Sequence, residues 1–228
     1  LSEYLEPESR FEELRVRDTI VFFGSARILP RDVATAQLEA AKLDGGDVQR
    51  AEMKLLMSRY YEDTRELARR LTLWSKSLEG TDRRFVICSG GGPGIMEAAN
   101  RGAKDGGGKS IGLGIHLPME QEINDFCDVA IDFDYFFIRK MMFTKFAAGL
   151  VVAPGGFGTM DELFDTLTLI QTRKIRRIPV VMLGTSYFGP LVSWMQDVLL
   201  QEGAISKSDL DLWLLTDEPA AAAAYLDR

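Results

Sequence analysis

The chain has few of the residues that cross-link or ligate. Two cysteines, Cys88 and Cys127, cannot build a disulfide framework. One histidine, His116, cannot build a histidine-rich metal site, and no Cys/His spacing typical of zinc surrounds either cysteine. No apolar run approaches the roughly 18 residues that cross a bilayer. Positive charge is in the minority, with 27 Lys plus Arg against 34 Asp plus Glu and a net charge of −7. That balance argues against a nucleic-acid binder, whose footprint is basic. Small phosphorylated ligands stay open, because they need only a local site. Residues 1–18 are charged and lack the apolar segment of a signal peptide, which points to a cytoplasmic protein with no membrane partner. The chain starts on Leu and not Met, which leaves a preceding N-terminal piece open.

What is present is ordinary for a folded protein. Hydrophobic residues make up 46% and charged residues 27% of 228 positions, enough for one core and one domain over 1–228. TIVFFG (19–24), RFVICSG (84–90), SIGLGI (110–115), DVAIDF (128–133), GLVVAP (149–154), IPVVML (178–183) and LWLLTD (212–217) read as strands. Helical spacing fills most of the gaps. The stretch 31–79 reads as two helices broken at Asp44-Gly45-Gly46-Asp47, the second starting near 48. Further helices are expected over 93–105, over 134–147 with Asp134 as N-cap, from Thr159 to about 172, over 186–201, and at Ala220–Ala224. Alternating strands and helices with continuous apolar strands predict an α/β fold. The expected architecture is Rossmann-like and doubly wound, a mostly parallel sheet of about six to seven strands with helices on both faces.

In such sheets ligands bind beyond the carboxyl ends of strands. Two strands here end in glycine-rich turns that open helices: Ser89-Gly90-Gly91-Gly92-Pro93-Gly94 and Pro154-Gly155-Gly156-Phe157-Gly158-Thr159. Glycine admits close backbone approach, and a helix N-terminus favours an anion. The pair points to a phosphate site. The dinucleotide fingerprint G-x-G-x-x-G is not met, since its third glycine falls on Ile95 or on Glu97. Residues 103–110 approach a P-loop, but they follow a helix and precede a strand, the reverse of the required order, and read as a helix C-terminal turn.

The charged candidates each have a plainer reading. Thr159-x-x-Glu162 matches a capping box, and a Glu162 that faces a ligand is not capping. Arg139 and Lys140, in FFIRKMMF, could simply carry their charges to solvent over apolar stems. Nothing singles out a lysine for a pyridoxal phosphate Schiff base. His116 reads as a packed or surface residue, and Cys88 as inert core. Tyr135, Phe136, Phe137, Met141 and Met142 read as core, or as neighbours of a base ring.

Taken together, FFGSAR (22–27), SGGGPGIMEAAN (89–100), FIRKMMF (137–143) and PGGFGTMDE (154–162) resemble the LOG family. Its members are nucleoside 5′-monophosphate phosphoribohydrolases that include cytokinin-activating enzymes, and the family also carries the label "possible lysine decarboxylase". The resemblance spans roughly 19–200. The long stretch 31–79 and the reading GGGPG depart from the shorter members and mark a bacterial-type or larger-subgroup one.

The resemblance implies an N-glycosidase acting on AMP-like nucleotides, cytokinin riboside 5′-monophosphates among them, to give free base and ribose 5-phosphate. It implies Arg139 and Glu162 as catalytic residues. It implies Lys140, Thr159, Asp161 and Thr168 as ligand contacts, with Glu120 in the variable HLPMEQE loop. The 5′-phosphate would lie at the two glycine turns, through Gly91, Gly92, Gly94, Gly155, Gly156 and Gly158, beside Gly24 and Ser25. No metal or other cofactor is required by this scheme. Homodimers or higher homo-oligomers are implied, with the site near the subunit interface. The alternative is a nucleotide- or cofactor-binding carrier of the same fold, which would have no need of the Arg139–Glu162 pair.

Overall fold

In the computed structural model, which describes residues 2–78, 80, 83–116 and 123–227, the strand β1 (Thr19–Phe23) lies at the centre of the sheet. Its β-branched and aromatic residues are all buried, as expected of a strand covered on both faces. β2 (Val86–Ser89) pairs with it on one side and β5 (Ala147–Val152) on the other. With β3 (Ser110–Ile115), β4 (Val129–Phe133), β6 (Val180–Leu183) and β7 (Trp213–Thr216), the order is β4-β3-β2-β1-β5-β6-β7. Every pairing is parallel, so the α/β Rossmann-like expectation holds. The edge strand β4 departs from the continuous pattern: Val129, Ile131 and Phe133 are buried while Ala130 and Asp132 are exposed. An edge strand has less cover than a central one.

Alternation along β1 divides the core. Val21 and Phe23 face one layer with Leu163 of α6 (Phe157–Gln171), Met142 and Phe143 of α5 (Phe136–Phe146), and Phe11 of α1 (Ser2–Glu13). Ile20 and Phe22 face the other, with Leu67 and Leu71 of α3 (Val48–Ser77), Ala99 of α4 (Ile95–Asp105) and Leu226 of α8 (Pro219–Leu226). Cys88 is buried in the first layer, and burial pushes its thiol far above the usual range.

The 31–79 stretch is two helices, as its periodicity predicts: α2 (Arg31–Asp44) and the 30-residue α3. Gly45 ends α2 in the left-handed region at φ 70°, and the Asp47 side chain caps α3 by accepting from Arg50 N. α7 (Thr185–Trp194) runs on as a wider π-type turn over Met195–Leu200.

Two helix starts differ from expectation. Asp134 does not cap α5; Tyr135 holds the N-cap position without a side-chain bond. The Asp134 carboxylate instead lies 2.7 Å from His116 Nδ1. α6 begins at Phe157, with Gly156 as N-cap. Thr159 therefore sits in the third helical position and cannot be the cap, so the Thr159–Glu162 capping box does not form. Gly155 leaves room for the Thr159 side chain, since a Cβ there would collide with Thr159 Oγ1, and in the helix that starts at Phe157 the Glu162 side chain is buried.

Candidate active site

The parallel order reverses at β1, because the chain steps to β2 and β3 on one side and to β5 and β6 on the other. Beyond the carboxyl ends at that switch point lies a cleft of about 910 Å³, where this class of sheet places its ligands. Three turns and helix starts frame it: 24–28 after β1, the 154–158 turn opening α6, and the first turns of α5.

The structure brings Gly24, Ser25, Arg139, Gly155, Gly156, Gly158, Thr159, Asp161 and Glu162 together along this cleft. Among the described residues no side chain caps α6, and its first residues Phe157, Gly158 and Thr159 line the cleft, which makes this an anion-favouring end. Ser25 N donates to Pro154 O at 2.9 Å, joining the two turns.

Glu162 is 8% exposed. Burial pushes its carboxyl up to about 7, against the pull of Lys140 and Arg139 and with a further push from Asp161 and Asp165. Arg139 is held from behind: its Nε donates to Leu113 O at 2.8 Å, and its guanidinium lies over the Phe143 ring at 5.1 Å. Burial lowers its proton affinity while Glu162 raises it, and a guanidinium stays charged regardless. Gly90 is the condition for this placement. A Cβ there would stand 2.6 Å from Arg139 Nη2 and 2.7 Å from Met96 Sδ. Neither Arg139 nor Lys140 merely reaches solvent. Lys140 makes a 2.8 Å ion pair with Asp161 and so ties α5 to α6 beside the cleft.

Other expected contacts lie elsewhere. Gly91, Gly92 and Gly94 are buried and do not line the cleft. Part of the first turn is bonded: Gly91 N donates to Ser89 Oγ at 3.0 Å, and Asn124 Nδ2 donates to the carbonyls of Gly91 and Gly92 at 2.8 and 3.0 Å. Gly94, at φ 70°, packs on the backbone of Ser25 and Ala26, where a Cβ would collide, and Ile95 N donates to Ser25 O. This turn therefore supports the 24–27 segment and makes room for Arg139. Thr168 is exposed and bonds back to Phe164 O at 2.7 Å. Glu120 lies outside the described residues.

The cleft also holds Arg27, Met57, Met96, Phe136, Phe157 and Tyr187. Arg27 lies within the FFGSAR motif, and Phe136 is exposed and not core. Met57 and Tyr187 carry no local motif, and topology alone brings them here. Met142 is core, whereas Tyr135, Phe137 and Met141 are exposed. Among the described residues no group of three His, Cys, Asp or Glu side chains could hold a metal ion, and no helix is long and apolar enough to cross a membrane.

The chain is similar to several known proteins. A cytokinin riboside 5′-monophosphate phosphoribohydrolase of Mycobacterium tuberculosis is 29% identical over 136 residues, 58% of this chain and 71% of that one. An X-ray structure from a structural genomics consortium superposes with a TM-score of 0.57 at 19% identity, covering 92% of this chain and 98% of the other. The Moco carrier protein of Chlamydomonas reinhardtii superposes with a TM-score of 0.52 at 21% identity, covering 92% and 96%. These two likenesses concern the fold. The family model described as "Possible lysine decarboxylase" matches residues 96–226, a span that contains Arg139, the PGGFGT turn and Glu162, and the chain belongs to that family, the LOG family.

Proposed function

We propose that the chain is an N-glycosidase that cleaves nucleoside 5′-monophosphates to free base and ribose 5-phosphate. One observation carries this reading: a buried carboxyl with raised proton affinity, Glu162, shares a cleft with a tethered guanidinium, Arg139, at the mouth of an uncapped glycine-turn helix. The M. tuberculosis relative's named activity is of this class.

The chemistry follows from the parts. Breaking a nucleotide's N-glycosidic bond builds positive charge on the ribose, as in glycoside hydrolysis. The Glu162 carboxylate stabilises that charge near C1′ and orients or deprotonates the attacking water. Arg139 donates to the leaving base or to the phosphate. The 5′-phosphate sits on the first-turn N–H groups of α6. Anchoring there fixes the sugar, so a remote group orients the reacting bond.

Pyridoxal phosphate, the cofactor an amino-acid decarboxylase would use, does not fit this cleft. None of its described lining residues is a lysine that could carry a Schiff base.

The test is product analysis with AMP, GMP, CMP, UMP and isopentenyl-AMP, with adenosine as control. Release of free base and ribose 5-phosphate from a monophosphate, with little from adenosine, is the expected result. AMP binding by the folded protein without release from any nucleotide would make it a carrier.

A further inference from the structure

We infer that Tyr187 is a positioning residue for the turn that receives the anionic end of the substrate, and that helix α3 holds Tyr187 in place. The inference rests on the proposed nucleotide reading, because it assigns a part of that same cleft.

Tyr187 lies in the first turn of α7 and lines the cleft. Its hydroxyl donates to Gly155 O at 2.7 Å. Its ring packs edge-on against Phe188, with centroids 5.0 Å apart. The preceding carbonyl, Pro154 O, accepts from Ser25 N at 2.9 Å. Two successive carbonyls of the glycine turn are thus bonded to donors outside it. In a planar trans peptide the N–H points opposite to the C=O. Tying both carbonyls back therefore presents the N–H groups of Gly155 and Gly156 on the other side. It also removes two dipoles that would repel an anion if the peptides flipped. Glycines permit such a flip, so a turn of this composition needs an external restraint, and Tyr187 supplies one.

The restraint is itself supported from α3. Arg59 Nη2 donates to Ser186 Oγ at 2.7 Å and to Tyr60 Oη at 2.5 Å. Tyr60 Oη and Ser186 Oγ are 3.0 Å apart. The Tyr60 ring fills the space beside Gly184, where a Cβ would stand 2.8 Å from Tyr60 Cε1. Asp217 Oδ1 accepts from Thr185 N at 2.9 Å. Residues 184, 185 and 186 are therefore fixed immediately before Tyr187. α3 lies outside the matched span 96–226, and this gives the long insertion a role at the site.

Tyr187→Phe keeps the ring and its packing and removes one hydrogen bond, which carries about a five- to tenfold effect. Three quantities are measured: ribose 5-phosphate affinity by calorimetry, KM and kcat for AMP, and kcat/KM for adenosine. The expected result is weaker ribose 5-phosphate binding and a higher KM for AMP, each by about five- to tenfold, with kcat and the adenosine value within about twofold. Arg59→Ala should move the same two quantities in the same direction, and it carries the test if Tyr187→Phe folds poorly. Unchanged affinity and KM in both variants would overturn the positioning role and leave the hydrolase reading intact. A fall in kcat at unchanged KM would also overturn it, by placing Tyr187 at the reacting bond. Wild-type protein that binds ribose 5-phosphate but cleaves nothing would remove the hydrolase reading, and the affinities would still decide the role of Tyr187. Wild-type protein that neither binds ribose 5-phosphate nor cleaves AMP would overturn both.

Discussion

Lys140 on α5 reaches Asp161 on α6 at 2.8 Å, while the residues directly following and preceding in those motifs, Glu162 and Arg139, line the same cleft without an ion pair between them. One cross-helix pair is joined and the other is left available. The joined pair holds the helices, and its ammonium also draws down the proton affinity of the buried Glu162.

Removing that ammonium should shift the pH profile. Glu162 must be ionised to stabilise positive charge, so activity should rise with pH through about 7. Lys140→Met deletes the cation whose pull opposes burial, so the acid limb of the kcat/KM profile should move to higher pH. Asp161→Asn deletes a like charge and frees the ammonium, and should move the limb to lower pH. Profiles between pH 5 and 9 decide this.

Gly90→Ala should impair the reaction while leaving the fold. The new methyl would stand 2.6 Å from Arg139 Nη2, so the guanidinium must give way, and a misplacement of about 1 Å costs up to about 100-fold in rate. Steady-state kinetics beside thermal melting check this, with the larger effect expected in kcat/KM.

Glu162→Gln should abolish most activity and stabilise the protein at alkaline pH. The folded-state value of Glu162 is raised from 4.5 to about 7. The folded protein therefore holds this proton more tightly than the unfolded chain. The stability this confers is complete below about pH 4.5 and is lost as pH rises through about 7. At pH 8 the ionised, buried carboxylate costs about 3 kcal/mol. Denaturation at pH 5 and pH 8 should show the variant gaining stability only at the higher pH.

Phe22→Ala tests the core beneath the site. Phe22 is fully buried at the centre of β1 and packs in the layer with Leu67 and Leu71 of α3. Truncation should cost about 3–5 kcal/mol, read as a lower denaturant midpoint. Loss of AMP affinity should follow only where the protein unfolds.

Much of the fold is legible in the residues. TIVFF, VICS and VVML are apolar and β-rich, so they read as strands, and Asp44-Gly45-Gly46-Asp47 marks a helix break at the right place. The start of α6 was not legible. The capping-box pattern at Thr159 is a real local preference, but the helix starts at Phe157 with Gly156 as N-cap and the pattern goes unused. Asp134 likewise satisfies His116 where a cap was expected.

In the site, the motif residues that share one turn or one helix start were legible, because their spacing is local. The first glycine turn shows the limit: its composition suits phosphate, yet Gly91, Gly92 and Gly94 lie outside the lining of the cleft and Gly91 N bonds to Ser89 Oγ. Met57 and Tyr187 reach the cleft from α3 and α7. Only the order of strands in the sheet brings them there, and no spacing in the sequence encodes it.

The most direct test of the account compares wild-type protein with Glu162→Gln and Arg139→Ala in a single-turnover reaction with AMP, following ribose 5-phosphate and adenine together. The account predicts that the two products appear in equal amounts with wild type, that both variants still bind AMP, and that both release neither product at a comparable rate. Equal rates of release by Glu162→Gln and wild type, or no release by a wild-type protein that binds AMP, would contradict it.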